Sequence, residues 1–159
     1  TNNLLSLLRQ NARHSNAELA GLLNVSEREV EQAINDLISK GIICQFTTIV
    51  NDNDLKGHPI KAIVELSISP EKGTGYDSIA KRIYEYPNVV AHYLVSGKYD
   101  FLVVVQGEDH KDIAHFVFDK LATLQNVKST TTHFIFKSYK EHGVLLTKTD
   151  LNNRIPIMP

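Results

Sequence analysis

Ser15-Asn16-Ala17-Glu18-Leu19-Ala20-Gly21-Leu22-Leu23-Asn24-Val25-Ser26-Glu27-Arg28-Glu29-Val30 is the stretch on which the reading of this chain turns. Both Ser15–Glu18 and Ser26–Glu29 have the S-x-x-E form of a capping box, in which the hydroxyl caps one backbone N–H and the carboxylate returns to another. Two helix starts eleven residues apart leave room for a short helix, a tight turn and a longer helix. The first would carry Leu19, Ala20, Leu22 and Leu23. Asn24 suits a left-handed turn position because its short polar side chain tolerates that region. The second would carry Val30, Ile34, Leu37 and Ile38 at helical spacing, with Gly41 as its stop. This spacing predicts a helix-turn-helix, with Leu19, Leu23, Val25 and Val30 in the wedge and small Ala20 at the close approach. An ordinary helical hairpin in a core has the same pattern.

Working outward, Leu4, Leu5, Leu7, Leu8 and Ala12 predict a bracing first helix. After Gly41 the β-branched and aromatic run Ile42–Val50 predicts one or two strands, which would make a wing. Residues 51–59 are rich in turn formers and read as a linker. Then Ile60, Ala62, Val64, Leu66 and Ile68 alternate as in a half-buried strand. A helix opened by Gly73-Thr74-Gly75 would carry Tyr76, Ile79, Ala80, Ile83 and Tyr84 on one side. Strands follow at 89–96 and 101–105, joined by a turn at Gly97-Lys98-Tyr99-Asp100. A helix over 109–124 would face inward through Ile113, Phe116, Val117 and Leu121. A last strand spans 127–139. The order β-α-β-β-α-β is the ferredoxin-like plan, so the fold class is α+β. The boundaries read as 1–50 for a winged helix-turn-helix, 51–59 for the linker, 60–144 for the ferredoxin-like domain and 145–159 for a polar tail with Ile155-Pro156-Ile157-Met158 near its end.

The run Phe101–Val105 is apolar at every position, and strands apolar on both faces are usually covered on both. Helices supply one cover. A second copy, packed as a closed two-fold dimer, is the expected other cover; the helix-turn-helix folding back is the alternative.

Composition sets the bounds. The chain of 159 residues is 42% hydrophobic and 22% charged, with a net charge of -1, so no global charge drives it to nucleic acid. No apolar run is long enough to cross a bilayer, so no membrane association is expected. No basic stretch followed by an apolar core stands at the N-terminus, and a helix starting so close to Thr1 suggests that a few residues precede it. Cys44 is the single cysteine; internal disulfides and multi-cysteine zinc sites are excluded, and a cytoplasmic setting is expected. No metal or cofactor set is legible. His110 and His115 have the wrong spacing to share a metal on one helix face. His92 and His133 lie in strands and could meet across the sheet. No Ser/His/Asp order is visible, and Gly73-Thr74-Gly75 is too short for a phosphate loop.

Taken together, Asn11-Ala12-Arg13, Glu18-Leu19-Ala20, Ser26 with Val30, Gly41-Ile42-Ile43, Val95-Ser96-Gly97-Lys98-Tyr99-Asp100 and Thr130-Thr131-Thr132-His133 resemble, in order and spacing, the Lrp/AsnC transcription regulators. The resemblance implies an N-terminal domain that binds double-stranded DNA. It also implies a C-terminal (RAM) domain that senses a small-molecule amino acid effector and builds homodimers, octamers or similar rings. It implies an effector beside the turn, with Gly97, Tyr99, Asp100, Thr130 and Thr132 as candidate contacts. Ser26, Arg28, Glu29 and Gln32 are the candidate DNA contacts. One departure stands out: the family usually has an arginine where this chain has Ala33. From Thr1 to Ile43 four basic residues (Arg9, Arg13, Arg28, Lys40) face five acidic ones (Glu18, Glu27, Glu29, Glu31, Asp36), a net of -1. Carboxylates repel phosphate, so one isolated domain should bind DNA weakly. A ligand-responsive regulator, not an enzyme, is the expected function. The alternatives are a modulator that joins related regulators without binding DNA, and a decarboxylase-like enzyme on the same architecture.

Overall fold

Two capping boxes organise the first fifty residues. In the computed structural model, which describes residues 2–70, 73 and 75–147, the chain divides into two compact units between Ile49 and Val50. The first holds α1 (Asn2–Gln10), α2 (Asn16–Leu23) and α3 (Glu27–Ser39). Ser15 and Glu18 cap α2 reciprocally, and Ser26 and Glu29 cap α3 in the same way. Asn24 ends α2 at φ 54, ψ 49, and the N–H of Val25 donates to the carbonyl of Ala20 at 3.1 Å. Gly41, at φ 66, follows the end of α3. Leu4, Leu8, Leu19, Ala20, Val30 and Leu37 form the core of this unit.

Two expectations fail here. Val25 is 43% exposed and is not in the wedge; Asn24 in the left-handed region turns the chain outward before Ser26. Residues 42–50 form no strand. Their composition favours extended backbone, but a strand exists only when its N–H and C=O groups find a neighbouring ladder, and no strand is assigned within this run.

Because Ser26 satisfies an otherwise orphaned N–H at the start of α3, Ser26→Ala should lower the stability of the helical unit by about 1 kcal/mol. Urea unfolding followed by circular dichroism measures it; an unchanged midpoint would mean the cap is redundant.

The second unit holds β1 (Ile60–Ile68), α4 (Asp77–Tyr84), β2 (Val89–Leu94), β3 (Phe101–Gly107), α5 (His110–Phe116), β4 (Val127–Ile135), β5 (Lys140–Glu141) and β6 (Val144–Leu145). The main sheet is antiparallel in the order β2-β3-β1-β4. Alternation decides its faces. Ala62, Val64, Leu66, Phe101, Val103 and Val105 are buried with Ile79, Ile83, Ile113 and Leu121 of the helical layer. By register, Ile63, Glu65, Leu102, Val104, Ala91, Tyr93 and His133 share the opposite face, where His133 Nε2 lies 3.3 Å from a Glu65 oxygen.

Several boundaries move. The helix expected over 109–124 is α5 followed by a π-helical turn, Val117–Leu121. The turn keeps Val117 and Leu121 inward and leaves Phe118 exposed. Of the residues grouped on one side of α4, Ile79 and Ile83 are buried and Tyr84 is 57% exposed. β2 ends at Leu94 and β4 at Ile135, short of the expected 96 and 139. Leu145 and Leu146 do not begin a polar tail: Leu145 closes the β5–β6 hairpin, and Leu146 is buried, its N–H donating to the carbonyl of Tyr139. The apolar end Ile155–Met158, like Thr74 of the Gly73–Gly75 turn, lies outside the described residues. His92 and His133 do not meet. The register pairs His92 with Val103 on the helix-covered face and His133 with Ile63 on the opposite one.

Candidate functional site

Asp100 is the hub of the turn between β2 and β3. Glycine at 97, with φ 129, lets the chain reverse where a side chain would be strained. The N–H of Val95 donates to the carbonyl of Asp100 at 2.9 Å, and the N–H of Asp100 donates to Leu66 at 3.0 Å. One Asp100 carboxylate oxygen accepts the N–H of Ile68 at 2.7 Å, and the other accepts the Tyr76 hydroxyl at 2.9 Å. These two hydrogen bonds, the backbone one first, hold its carboxyl below the usual carboxylate range, with Lys128 adding to them. The same contact raises the Tyr76 phenol. Tyr76 in turn stacks edge-on against Phe101 at 5.6 Å. Lys98 lies over the Tyr99 ring at 5.4 Å. The turn therefore carries an ionised carboxylate whose orientation is set by β1 and by the start of α4.

The threonines stand on the other side of β1. Thr130 pairs with Leu66 and Thr132 with Val64, both half-buried on the helix-covered face. Asp100 reaches β1 from the β3 side and Thr130 from the β4 side, so two strand spacings, roughly 10 Å, separate them. Within one chain Gly97, Tyr99 and Asp100 cluster at the turn; Thr130 and Thr132 are a separate pair at the same end of the sheet.

The opposite end of the sheet holds an arrangement with no sequence signal. Lys61 Nζ lies 3.1 Å from an Asp52 oxygen and 3.5 Å from a Glu141 oxygen. Asn53 donates to the carbonyl of Ser138 at 2.8 Å and accepts from its N–H at 3.4 Å. These contacts tie the segment after Val50 to the β4–β5 connection, beside a groove of about 370 Å³. They join residues as far apart as 53 and 138, and no local pattern reports such a pair. A second groove, of about 360 Å³, runs between α4 and β2 past Tyr76, His92 and Phe101. His92 Nε2 is buried there without a partner among the described residues, and burial lowers the pKa of the ring. No group of three or more metal-ligating side chains converges among the described residues, and no helix among them is long and apolar enough to cross a membrane.

At α3 the four candidate contacts divide. Ser26 and Glu29 are committed to each other: a Glu29 oxygen accepts from the Ser26 N–H at 2.8 Å and from its hydroxyl at 2.7 Å, and the Ser26 oxygen accepts the Glu29 N–H. These bonds, the backbone one first, lower the pKa of Glu29. The side chains of Arg28 and Gln32 are exposed and make no hydrogen bond or ion pair among the described residues.

Comparison with known proteins agrees with both units. Residues 2–43 match a family described as winged helix-turn-helix DNA-binding. Residues 61–145 match the Lrp/AsnC ligand binding domain. Over 157 residues the chain is 36% identical to an HTH-type transcriptional regulator of Bacillus subtilis, YugG, covering 98% of this chain and 95% of that protein. Among solved structures, Bacillus subtilis LrpC aligns at a TM-score of 0.63 and 26% identity, over 87% of this chain and 93% of that one. A Neisseria meningitidis transcriptional regulator, solved as a complex with L-Met, aligns at 0.69 and 23% identity, over 87% and 88%.

Proposed function

Because the chain belongs to the Lrp/AsnC family of DNA-binding transcription regulators, and is therefore a regulator rather than an enzyme, we propose that its second unit senses an α-amino acid and that it works as a homodimer or larger ring. The observation that carries the sensing is the turn itself. An amino acid needs backbone N–H donors for its carboxylate and an anion for its ammonium. The Gly97–Asp100 turn offers exposed backbone and a carboxylate held ionised and aimed by Ile68 and Tyr76. The Neisseria regulator's L-Met complex is in keeping with an amino-acid effector for this architecture. Thr130 and Thr132 are then contacts from a second copy, since β1 separates them from the turn within one chain. Assembly is supported by the face of the sheet away from its own helices, where Leu102, Val104, Ile63 and Tyr93 share one side and want an apolar cover.

A thermal-shift screen of the twenty amino acids tests the sensing, since a ligand that binds only the folded state raises its melting point. One or a few should do so, and a flat response to all twenty would remove the proposal. Sedimentation of the full chain at micromolar concentration tests assembly; a clean monomer would remove that part. On DNA carrying the chain's own promoter region, Arg28→Ala should weaken binding by about 1–3 kcal/mol if Arg28 contacts a base edge. Fluorescence anisotropy measures it, and equal affinity would relieve Arg28 of the role.

A further inference from the structure

The acidic composition of α3 is not spread evenly around the helix. At about 100° per residue, Arg28, Gln32, Asn35 and Ser39 fall within an arc of about 60°. This arc lies opposite Val30 and Leu37, which are buried in the core of the unit. It is therefore the ridge that projects furthest into solvent, and all four residues on it are exposed. No carboxylate stands on the ridge. Glu27 and Glu31 lie about 70–110° to one side, and Glu29 and Asp36 about 70–90° to the other. The side chains of Arg28, Gln32 and Asn35 make no hydrogen bond or ion pair among the described residues. Ser39 is turned back on its own helix, donating to the carbonyl of Asp36 at 2.9 Å.

A recognition helix in the major groove points its outer ridge at base edges and its flanks at the two phosphate strands. Arginine pairs bidentately with guanine, and glutamine and asparagine pair with adenine. A rise of 1.5 Å per residue puts Arg28 and Asn35 about 10 Å apart along the axis, about three base steps. The flanking carboxylates face phosphate and oppose binding that depends on charge alone.

Resting on the DNA-binding reading of the first unit, we infer that α3 reads the major groove through the carboxylate-free ridge Arg28, Gln32 and Asn35. It selects guanine at Arg28 and adenines at Gln32 and Asn35, within a half-site of about four base pairs. Glu27, Glu31 and Asp36 suppress its hold on arbitrary sequence. The acidic flanks thus raise the ratio of specific to non-specific binding while lowering both affinities.

Selection of the full chain on random duplexes, then anisotropy on the selected and a scrambled duplex across a salt series, tests this. The parent should enrich half-sites with one guanine followed by adenines. Gln32→Ala and Asn35→Ala should each lose the preference at one adenine. Each should weaken the selected duplex about 5- to 150-fold and leave the scrambled duplex unchanged. Glu31→Gln should tighten the scrambled duplex and shrink the ratio. An unchanged consensus in both alanine variants overturns the inference alone. So does an equal loss on both duplexes, which would mark phosphate contacts, and so does a scrambled affinity unaffected in Glu31→Gln. A parent chain that enriches no sequence overturns the inference and the DNA reading together.

Discussion

Asp100→Ala should cost the second unit about 2–4 kcal/mol and abolish the amino-acid-induced rise in melting point, whereas Asp100→Asn should abolish the rise at a cost of only about 1 kcal/mol. The difference follows from two jobs held by one side chain. The carboxylate accepts the Ile68 N–H and the Tyr76 hydroxyl, and hydrogen bonds to a charged group contribute about 1.5–3 kcal/mol each. Partial exposure of Asp100 to water keeps the total toward the lower end. Asparagine retains an acceptor for the Ile68 N–H, and its amide N–H can donate to the Tyr76 oxygen in place of the hydroxyl bond that the second carboxylate oxygen accepted; what it cannot replace is the charge that an ammonium would meet. Because the folded state depresses this carboxyl, its contribution is present above the unfolded value near 3.9 and fades as pH falls through the lower folded value. The melting temperatures of Asp100→Asn and the parent should therefore converge at the acid end. Calorimetric titration with the amino acid found in the thermal-shift screen decides the ligand role. Full affinity in Asp100→Asn would place the ammonium elsewhere and leave Asp100 as a brace of the turn.

Phe101→Ala should be the most damaging single substitution at the Asp100 end of the sheet, at about 3–5 kcal/mol. Phe101 is fully buried, and its ring meets Tyr76 edge-on at 5.6 Å and His92 at 4.5 Å. Its loss opens a cavity directly behind Asp100 and admits water to His92. That is a large share of the 5–15 kcal/mol that holds a typical domain. Since the two units have separate cores, amide exchange should accelerate in β1, β3 and β4 while α2 and α3 keep their protection. Faster exchange in α2 and α3 as well would show that the units unfold together. Unaltered exchange in the sheet would mean that the neighbouring side chains refill the space.

The short-range features of this protein were legible in its residues because they are made of short-range contacts. A capping box closes over three residues, so Ser15–Glu18 and Ser26–Glu29 announce α2 and α3. Strand alternation needs no partner to be visible, so the buried faces of β1 and β3 follow from Ala62-Val64-Leu66 and Phe101-Val103-Val105. The π turn at Val117–Leu121 hid inside a helical pattern, because the same inward residues serve either ladder. The β5–β6 hairpin hid because its turn puts His142, not asparagine or aspartate, at positive φ before Gly143.

What the amino-acid sequence determined alone is the order of α1, α2 and α3 and of β1-α4-β2-β3-α5-β4, the two cores and, with the family resemblance, the kind of regulator. Tertiary structure decided what depends on chain segments meeting. Ile42–Val50 is β-prone yet forms no strand, since propensity cannot supply the neighbouring ladder. Val25 lost its place in the wedge to a backbone turn one residue earlier. Asp100 became a braced carboxylate only when Ile68 and Tyr76, 32 and 24 residues away, reached it. Thr130 and Thr132, aligned with that turn by resemblance, are parted from it by the width of β1. Lys61, unremarkable in the sequence, joins Asp52 to Glu141. Each of these depends on which groups approach across the fold, and the energy of approach is set by distance in space, which spacing along the chain does not encode.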